Sequence, residues 1–160
     1  RERRSRRGLA RSATMGERPM TRARFLHGGA AQGPVLALAA PLSFWGAFDP
    51  RTGRIIDIHH PQCGARISGT ILMMRETRGS GTAPGGMAEA IRLGTAPAAV
   101  ILIKPDINLA IGAEVAETLY GKTCPVLAIA EAEYAQIVRQ EALAIADDGT
   151  ITPLPRDVPS

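Results

Sequence analysis

The chain has 160 residues, 45% of them hydrophobic and only 4% aromatic, and a formal net charge of +4. This length suits one domain of ordinary size, and the few aromatic residues imply a core of Ala, Val, Ile and Leu. No uninterrupted apolar run approaches the roughly eighteen residues that would indicate a membrane-spanning helix.

The positive charge is concentrated at the N-terminus. Residues 1–24 contain nine arginines and two glutamates, whereas the remainder contains ten basic and thirteen acidic residues, which gives +7 and −3. We expect a disordered basic extension over 1–24, a folded domain over 25–155 and a frayed tail over 156–160. Because Met15 and Met20 are alternative starts, the extension can also be a cloning remnant or an over-long gene prediction. Nonspecific nucleic-acid binding by the tail is a weaker alternative.

Cysteine usage and the N-terminal composition bear on location. Cys63 and Cys124 are isolated and show no CxxC spacing, and the N-terminal segment lacks the apolar core of a secretory signal. Both observations favour reduced thiols and a cytoplasmic location. Cys124 precedes an apolar strand, which predicts a small buried core residue.

In chain order, hydrophobic periodicity predicts alternating strands and helices. The predicted elements are strands at 35–40, 54–60 and 68–74, a helix at 85–94, a strand at 98–103, a helix at 107–122, a strand at 124–130, a helix at 131–140 and a hairpin over 141–155 with a tight primed turn at Asp148-Gly149. A turn over 49–53 joins the first two strands. This order predicts an α/β fold with mixed strand directions and a curled or barrel-like sheet.

The two longer predicted helices carry different apolar patterns. In the first, Met87, Ala90 and Ile91 share one face. In the second, apolar residues recur every four positions and form one stripe, the pattern typical of a helix that packs on a core. The stripe consists of Ile107, Ile111, Val115 and Leu119. Asp106 or Asn108 can cap the start of this helix, and Gly121 with Lys122 suits its end.

The loop RGSGTAPGG, residues 78–86, separates a predicted strand from a predicted helix. Loops at the carboxyl ends of parallel strands are the usual ligand sites in α/β folds. Its glycines let backbone N–H groups approach an anion, and Arg78 and the helix start add positive potential. Neither a GxSxG elbow nor a GK[ST] ending surrounds Ser80, which argues against a serine hydrolase and a Walker loop. A flexible loop without a ligand remains the alternative.

The sequence DIHHPQC offers candidate metal ligands in Asp57, His59, His60 and Cys63. Neighbouring side chains on a strand point in opposite directions, so the two histidines are poorly placed to chelate one ion. We therefore predict no metal site, and one exposed and one packed histidine.

The stretch SFWGAFD contains further candidates. Phe44 and Trp45 can be either a core plug or part of a partner surface. Asp49 and Asp57 can form a carboxylate pair, but turn capping explains them more simply.

Three stretches together resemble the small, swivelling part of the aconitase X family. They are PLSFWGAFDPRTGRIIDIHHPQCG, ISGTILMMRETRGSGT and AIRLGTAPAAVILIKPDINLAIGAEVAETLYGKTCPVL, and the resemblance covers about residues 33–154. The resemblance implies a swivelling β/β/α domain that shares an active site with a large subunit. That subunit is expected to hold an iron–sulfur cluster on its own cysteines, with no cofactor on this chain.

The resemblance also implies roles for the glycine-rich loop. Ser80 matches the family's proton acceptor, and Arg78, Gly79, Gly81 and Thr82 are then expected to contact a small carboxylate substrate. The implied activity is dehydration of cis-3-hydroxy-L-proline, with mevalonate 5-phosphate as the alternative substrate. A non-catalytic ligand-binding or interaction module of the same fold is a further alternative. The chain is expected to be inactive without its large subunit.

The chain departs from the family pattern in three places. Thr77 stands where the family has a glycine before Arg78, and Gly46-Ala47 replaces a pair of glycines. After Ser80 the loop reads GTAPGG instead of a serine-richer run. These differences bear on the choice of substrate, whereas the serine itself is retained.

Overall fold

The computed structural model describes residues 21–79 and 83–155, and in these ranges the chain forms ten strands and three helices. In chain order they are β1 (Thr21–Arg22), β2 (Arg24–His27), β3 (Ala31–Ala37), β4 (Phe48–Asp49), β5 (Arg54–Ile55), β6 (Ile71–Met74), α1 (Ala83–Leu93), β7 (Ala99–Leu102), α2 (Ile107–Tyr120), β8 (Val126–Ala128), α3 (Glu131–Ile137), β9 (Ala142–Ile145) and β10 (Thr150–Pro153). No helix within these ranges has both the length and the apolar character needed to cross a bilayer.

Eight strands form one mixed sheet in the order β1-β10-β9-β3-β6-β7-β8-β2, and β4 and β5 form a separate hairpin. The central strands β3, β6, β7 and β8 are parallel, and the flanking pairs are antiparallel. Strands β1 and β2 lie at opposite ends of this order, yet only Ala23 separates them in the chain. The sheet therefore curls until its two edges nearly meet, which confirms the predicted curled α/β fold.

The central strands are apolar on both faces, because successive side chains enter two different cores. Leu72 and Met74 of β6 belong to the cluster beneath α1 and α2, whereas Ile71 and Met73 belong to the cluster that includes α3. All four side chains are fully buried. The predicted βαβ unit β6-α1-β7 is thus covered on both sides.

Helix α2 has the predicted caps but not the predicted buried face. Asp106 accepts a hydrogen bond from the Asn108 backbone N–H at 2.8 Å, and Gly121 ends the helix in the left-handed conformation. The predicted core stripe is wrong: its four residues are exposed, with Ile107 at 70% and Leu119 at 64% of their accessible surface. The buried residues are instead Leu109, Ala110, Gly112, Ala113 and Ala116.

Other bounds also differ from prediction, among them those of β3, which spans Ala31–Ala37 instead of 35–40. The structure is already ordered into strand at Thr21, so the expected boundary at residue 25 is four residues late, while 1–20 and 156–160 lie outside the described residues. The strand expected over 54–60 ends at Ile55, because the chain then turns and Asp57 Oδ1 accepts from the His59 N–H at 2.9 Å.

The predicted hairpin is confirmed, but not its turn type. The Gly149 N–H donates to the Ala146 carbonyl, and within the turn over 146–149 only Gly149 has positive φ, which gives a three-residue loop.

Candidate functional site

Three loops converge at one edge of the sheet. Strands β3, β6 and β7 are parallel neighbours, so their carboxyl ends lie side by side. The chain leaves this edge after Ala37, Met74 and Leu102. Ligand sites of open α/β sheets form outside such ends, and this edge is therefore the candidate site.

Two neighbouring hollows of about 350 and 220 Å³ lie between these loops and share Glu76 and Lys104. The larger one also contacts Leu38, Pro41 and Arg75. The smaller, more polar one is lined by Thr77, Gly79, Pro105, Asp106 and Asn108 in addition to the shared pair. Together they form a crevice across the carboxyl ends of β3, β6 and β7.

The Arg78–Gly79 segment is held against the loop that follows β3. The Arg78 backbone N–H donates to the Leu42 carbonyl at 3.1 Å, and the Arg78 side chain is exposed. Gly79 has φ of 132°, and a Cβ there would lie 2.7 Å from Ser43 Oγ. The positive φ favours glycine at this position, and an added Cβ would also displace the Ser43 hydroxyl.

Ser80, Gly81 and Thr82 lie outside the described residues, so their roles stay predictions. Of the predicted site residues, the structure brings Arg78 and Gly79 to the carboxyl edge, immediately before Ser80 in the chain.

The loop after β3 is itself well fixed. Ser43 Oγ accepts from the Trp45 N–H at 3.2 Å and donates to the Trp45 carbonyl at 2.9 Å. Phe44 is buried and contacts Phe48, with ring centroids 5.6 Å apart. Trp45, in contrast, is 61% exposed. The sequence left open whether these two residues belong to the core or to a partner surface. Phe44 lies in the core, whereas Trp45 lies on the surface.

Several charged and polar groups at the edge are paired with one another. Arg75 bonds to Glu131, at the start of α3, and Lys104 Nζ lies 3.7 Å from Glu76 Oε2. Thr77 Oγ1 bonds to Asp106, the residue that caps α2. These pairs link the loops after β6, β7 and β8, and each of the two exposed ion pairs contributes little to stability on its own.

The remaining candidates of the sequence have structural roles. His60 is buried, its Nε2 lies 3.0 Å from the Ala40 carbonyl and its Nδ1 accepts from the Gln62 N–H, whereas His59 is exposed. This confirms one packed and one exposed histidine. Asp49 caps a turn as expected: the Arg51 backbone N–H donates to its Oδ1 at 3.0 Å, which lowers the pKa of that carboxyl.

A cluster formed by β2 and α2 was missed from the sequence. The buried His27 of β2 contacts two glutamates of α2: its Nδ1 lies 3.1 Å from Glu114 Oε2, and its Nε2 lies 2.7 Å from Glu117 Oε2. Thr123 Oγ1 is also 2.7 Å from Nε2. Each ring nitrogen therefore faces a carboxylate oxygen, and the three side chains each offer one possible metal-ligating atom within 4.8 Å of the others. The only sequence signal was the i, i+3 spacing of the glutamates.

The cysteines do not form a ligand set for an iron–sulfur cluster, which several thiolates hold together. Cys124 is fully buried in the core beneath α1 and α2, as predicted. This burial raises the pKa of its thiol. Cys63 lies in the exposed turn after β5. With these two as the only cysteines of the chain, its residues do not fit such a cluster.

Comparisons with known proteins agree with this geometry. The profile of the aconitase X swivel domain matches residues 20–152. A cis-3-hydroxy-L-proline dehydratase of Pseudomonas aeruginosa is 44% identical over 108 residues, which is 68% of this chain and 19% of the relative. A phosphomevalonate dehydratase small subunit of Methanothermobacter thermautotrophicus is 39% identical over 90 residues, or 56% of this chain and 69% of the relative.

A solved structure extends the comparison. The crystal structure of Thermococcus kodakaraensis aconitase X in its holo-form superposes with a TM-score of 0.70 at 25% identity, and the match covers 84% of this chain and 97% of that chain. The domain thus occurs both as a small part of a longer chain and as almost the whole of a chain. It matches about a fifth of the Pseudomonas dehydratase but almost the whole of the matched Thermococcus chain.

Proposed function

The chain belongs to the aconitase X swivel-domain family, and on that premise we propose that it is the small subunit of a two-chain aconitase-like dehydratase. The observation that carries the proposal is the fixed Arg78–Gly79 segment at the carboxyl edge of three parallel strands, beside an open crevice. Such an edge can be completed by a second polypeptide. Without that polypeptide the crevice is open to water, and we expect the isolated chain to be inactive.

We propose Ser80 as the base. In a dehydration, the serine oxygen takes the proton from the carbon next to the substrate carboxylate, and the C–H electron pair becomes the double bond. The hydroxyl on the neighbouring carbon leaves with the C–O electron pair and takes a proton from solvent to become water, and the serine then returns its proton to solvent. A lone serine is too weak a base for this step, so its surroundings must stabilise the alkoxide. The Arg78 guanidinium, loop N–H groups and the N-terminus of α1 are the positive groups nearest to it in the chain.

The iron–sulfur cluster that the family resemblance implies is assigned in this proposal to the large subunit. This chain contributes only two cysteines, one buried and one on a separate exposed turn. Iron analysis of each purified subunit tests the assignment.

For the substrate we propose cis-3-hydroxy-L-proline, since the Pseudomonas dehydratase is 44% identical. Mevalonate 5-phosphate is the second candidate, favoured by the match to a protein that is itself a small subunit. Turnover of only mevalonate 5-phosphate by the assembled enzyme would reverse this choice.

The test of the catalytic proposal is to assemble this chain with its cognate large subunit and to measure turnover of both substrates. We expect Ser80→Ala to lower kcat by roughly 10²–10⁴-fold, the usual contribution of a general base. Thr118→Ala, which removes an exposed hydroxyl from α2, is the matched control and should leave kcat unchanged. If the Ser80→Ala complex keeps its full rate, Ser80 is not the base and the non-catalytic alternative gains.

A further inference from the structure

Three exposed apolar side chains lie beside the candidate site and have no role in it so far. Trp45, Ile56 and Ile58 are 61%, 50% and 80% exposed, and we call them the apolar rim. They belong to one local structure, because the backbone N–H groups of Ile56 and Asp57 donate to the Ala47 carbonyl at 2.9 and 3.3 Å. Large exposed apolar groups gathered in one place are typical of interaction surfaces.

The apolar rim is held in position from below. Trp45 is fixed on one side by the two Ser43 Oγ hydrogen bonds and on the other by Phe44, which is buried at 1% exposure. Helix α1 packs so closely on this loop that a Cβ on Gly86 would lie 1.9 Å from the Phe44 carbonyl oxygen. An aromatic side chain on a rigid backbone loses little conformational freedom on binding, a property of interface hot spots.

A hollow of about 340 Å³ opens next to Trp45. Its wall is mostly apolar or glycine, and it runs from the loop after β3 to the first turns of α1. The lining includes Phe44, Trp45, Phe48, Pro50, Gly86 and Glu89. A hollow of this kind accepts an apolar side chain from a partner, while Trp45 offers one in return.

The apolar rim is continuous with the candidate site. The Arg78 N–H bonds to the Leu42 carbonyl, three residues before Trp45, and Gly79 approaches Ser43, two residues before it. A polypeptide that closes over the Arg78–Gly79 segment therefore approaches Trp45 as well. In the Pseudomonas relative about four fifths of the chain lies outside the matched domain, so a large companion structure exists there.

We propose that the apolar rim is the docking surface for the large subunit. This inference rests on the proposed function and adds the location of the subunit interface. The large subunit would present an apolar surface with one projecting aliphatic or aromatic side chain that enters the hollow beside Trp45. The expected contact thus places the core of the interface next to the crevice, and the large subunit excludes water from the crevice.

A second exposed apolar surface serves as the internal control. It is the far half of the α2 stripe, Val115 and Leu119, which are 41% and 64% exposed. These residues lie roughly two and three helical turns from the start of α2, or about 12 and 18 Å, and therefore away from the carboxyl edge. Both surfaces are aliphatic or aromatic and exposed, but only the apolar rim adjoins the site.

The experiment compares two double variants of the full chain, Trp45→Glu/Ile58→Glu and Val115→Glu/Leu119→Glu, for binding to the cognate large subunit by isothermal titration calorimetry. We expect the rim variant to raise Kd at least 100-fold and the α2 variant to change it less than about threefold, since desolvated hot spots dominate binding. Equal affinities for the two variants, or a loss confined to the α2 variant, would overturn the proposal. Circular dichroism checks folding, and the single variant Ile58→Ser replaces the double variant if the latter unfolds.

Two further outcomes separate this inference from the proposed function. If the wild-type chain does not bind the large subunit at all, the proposed function fails and the docking surface fails with it. If the wild-type complex forms and both double variants also form it, only the docking surface is wrong. Self-association of the chain through the apolar rim, seen by light scattering and abolished in the rim variant, would assign the surface to a second copy instead.

Discussion

Helices α1 and α2 lie side by side and follow neighbouring parallel strands, yet they bury different kinds of side chain. Helix α1 buries Met87 and Ile91, the large residues of its apolar face. Helix α2 buries Leu109 near its start but otherwise only alanines and Gly112, and it leaves the four aliphatic residues of its stripe exposed. The face with the largest apolar residues is therefore not always the packed face of a helix.

The reason is the short distance between the two helices. A Cβ on Gly112 would lie 2.7 Å from the Pro84 carbonyl oxygen and 3.0 Å from Met87 Cβ. The ends of the helices also stay together, since Lys122 Nζ donates to the Arg92 carbonyl at 3.3 Å. Small residues let α2 approach α1, and the large side chains of α1 then fill the space above the sheet.

The largest effect is expected from truncating the large residue of the packed α1 face. Met87→Ala should lower the free energy of unfolding by about 2–5 kcal/mol, because it leaves a cavity in the core. Leu119→Ala on α2 is the matched control, since Leu119 is largely exposed, and should cost less than about 0.5 kcal/mol. Urea unfolding followed by circular dichroism measures both. Similar losses in the two variants would mean that the α2 stripe is packed after all.

A smaller effect is expected from adding a methyl group at the contact between the helices. Gly112→Ala should destabilise the protein by about 1–3 kcal/mol through overpacking, although alanine is ordinarily the better helix residue. Gly85→Ala in α1 is the control, because a Cβ there meets nothing within 4 Å. That change should stabilise by up to about 1 kcal/mol. Thermal unfolding shows whether each variant is more or less stable than the wild type. A Gly112→Ala variant that is more stable than the wild type would refute the close approach of the helices.

The smallest effect is expected on the exposed face of α2. The double variant Ile107→Gln/Ile111→Gln should change the free energy of unfolding by less than about 0.5 kcal/mol per site, because both side chains are already in contact with water. Chemical denaturation provides the measurement. A loss comparable to that of Met87→Ala would contradict the exposure described above.

The central part of the fold was predictable because its signals are local. The apolar runs of β6 and β7 show that both faces are covered, and the strand-loop-helix order placed Arg78 and Gly79 at the carboxyl edge. Strands β1 and β2 escaped prediction because they have two and four residues and pair with distant segments, such as Thr21 with Ile151. Their stability depends on partners that sequence patterns do not reveal.

The site was predictable only in part for the same reason. The glycine-rich loop can be found from its composition, but the contact of Gly79 with Ser43 is long-range and has no sequence signal. His27, Glu114 and Glu117 are each ordinary residues in sequence, and only the packing of β2 against α2 brings them together. The exposed α2 stripe followed a valid pattern, but helix–helix distance decided which face was buried.

The position of β1 and β2 at opposite borders of the sheet has a practical consequence for anyone who shortens the protein. The two strands are short, lie on either side of Ala23 in the chain and connect the two edges of the sheet. A version that began at residue 28 would uncover the hydrogen-bonding groups of β8 and β10, and β8 consists of the apolar residues Val126, Leu127 and Ala128. Unpaired apolar strands recruit other chains. Expression vectors and crystallisation variants should therefore retain the segment from Thr21 onward to avoid intermolecular strand pairing.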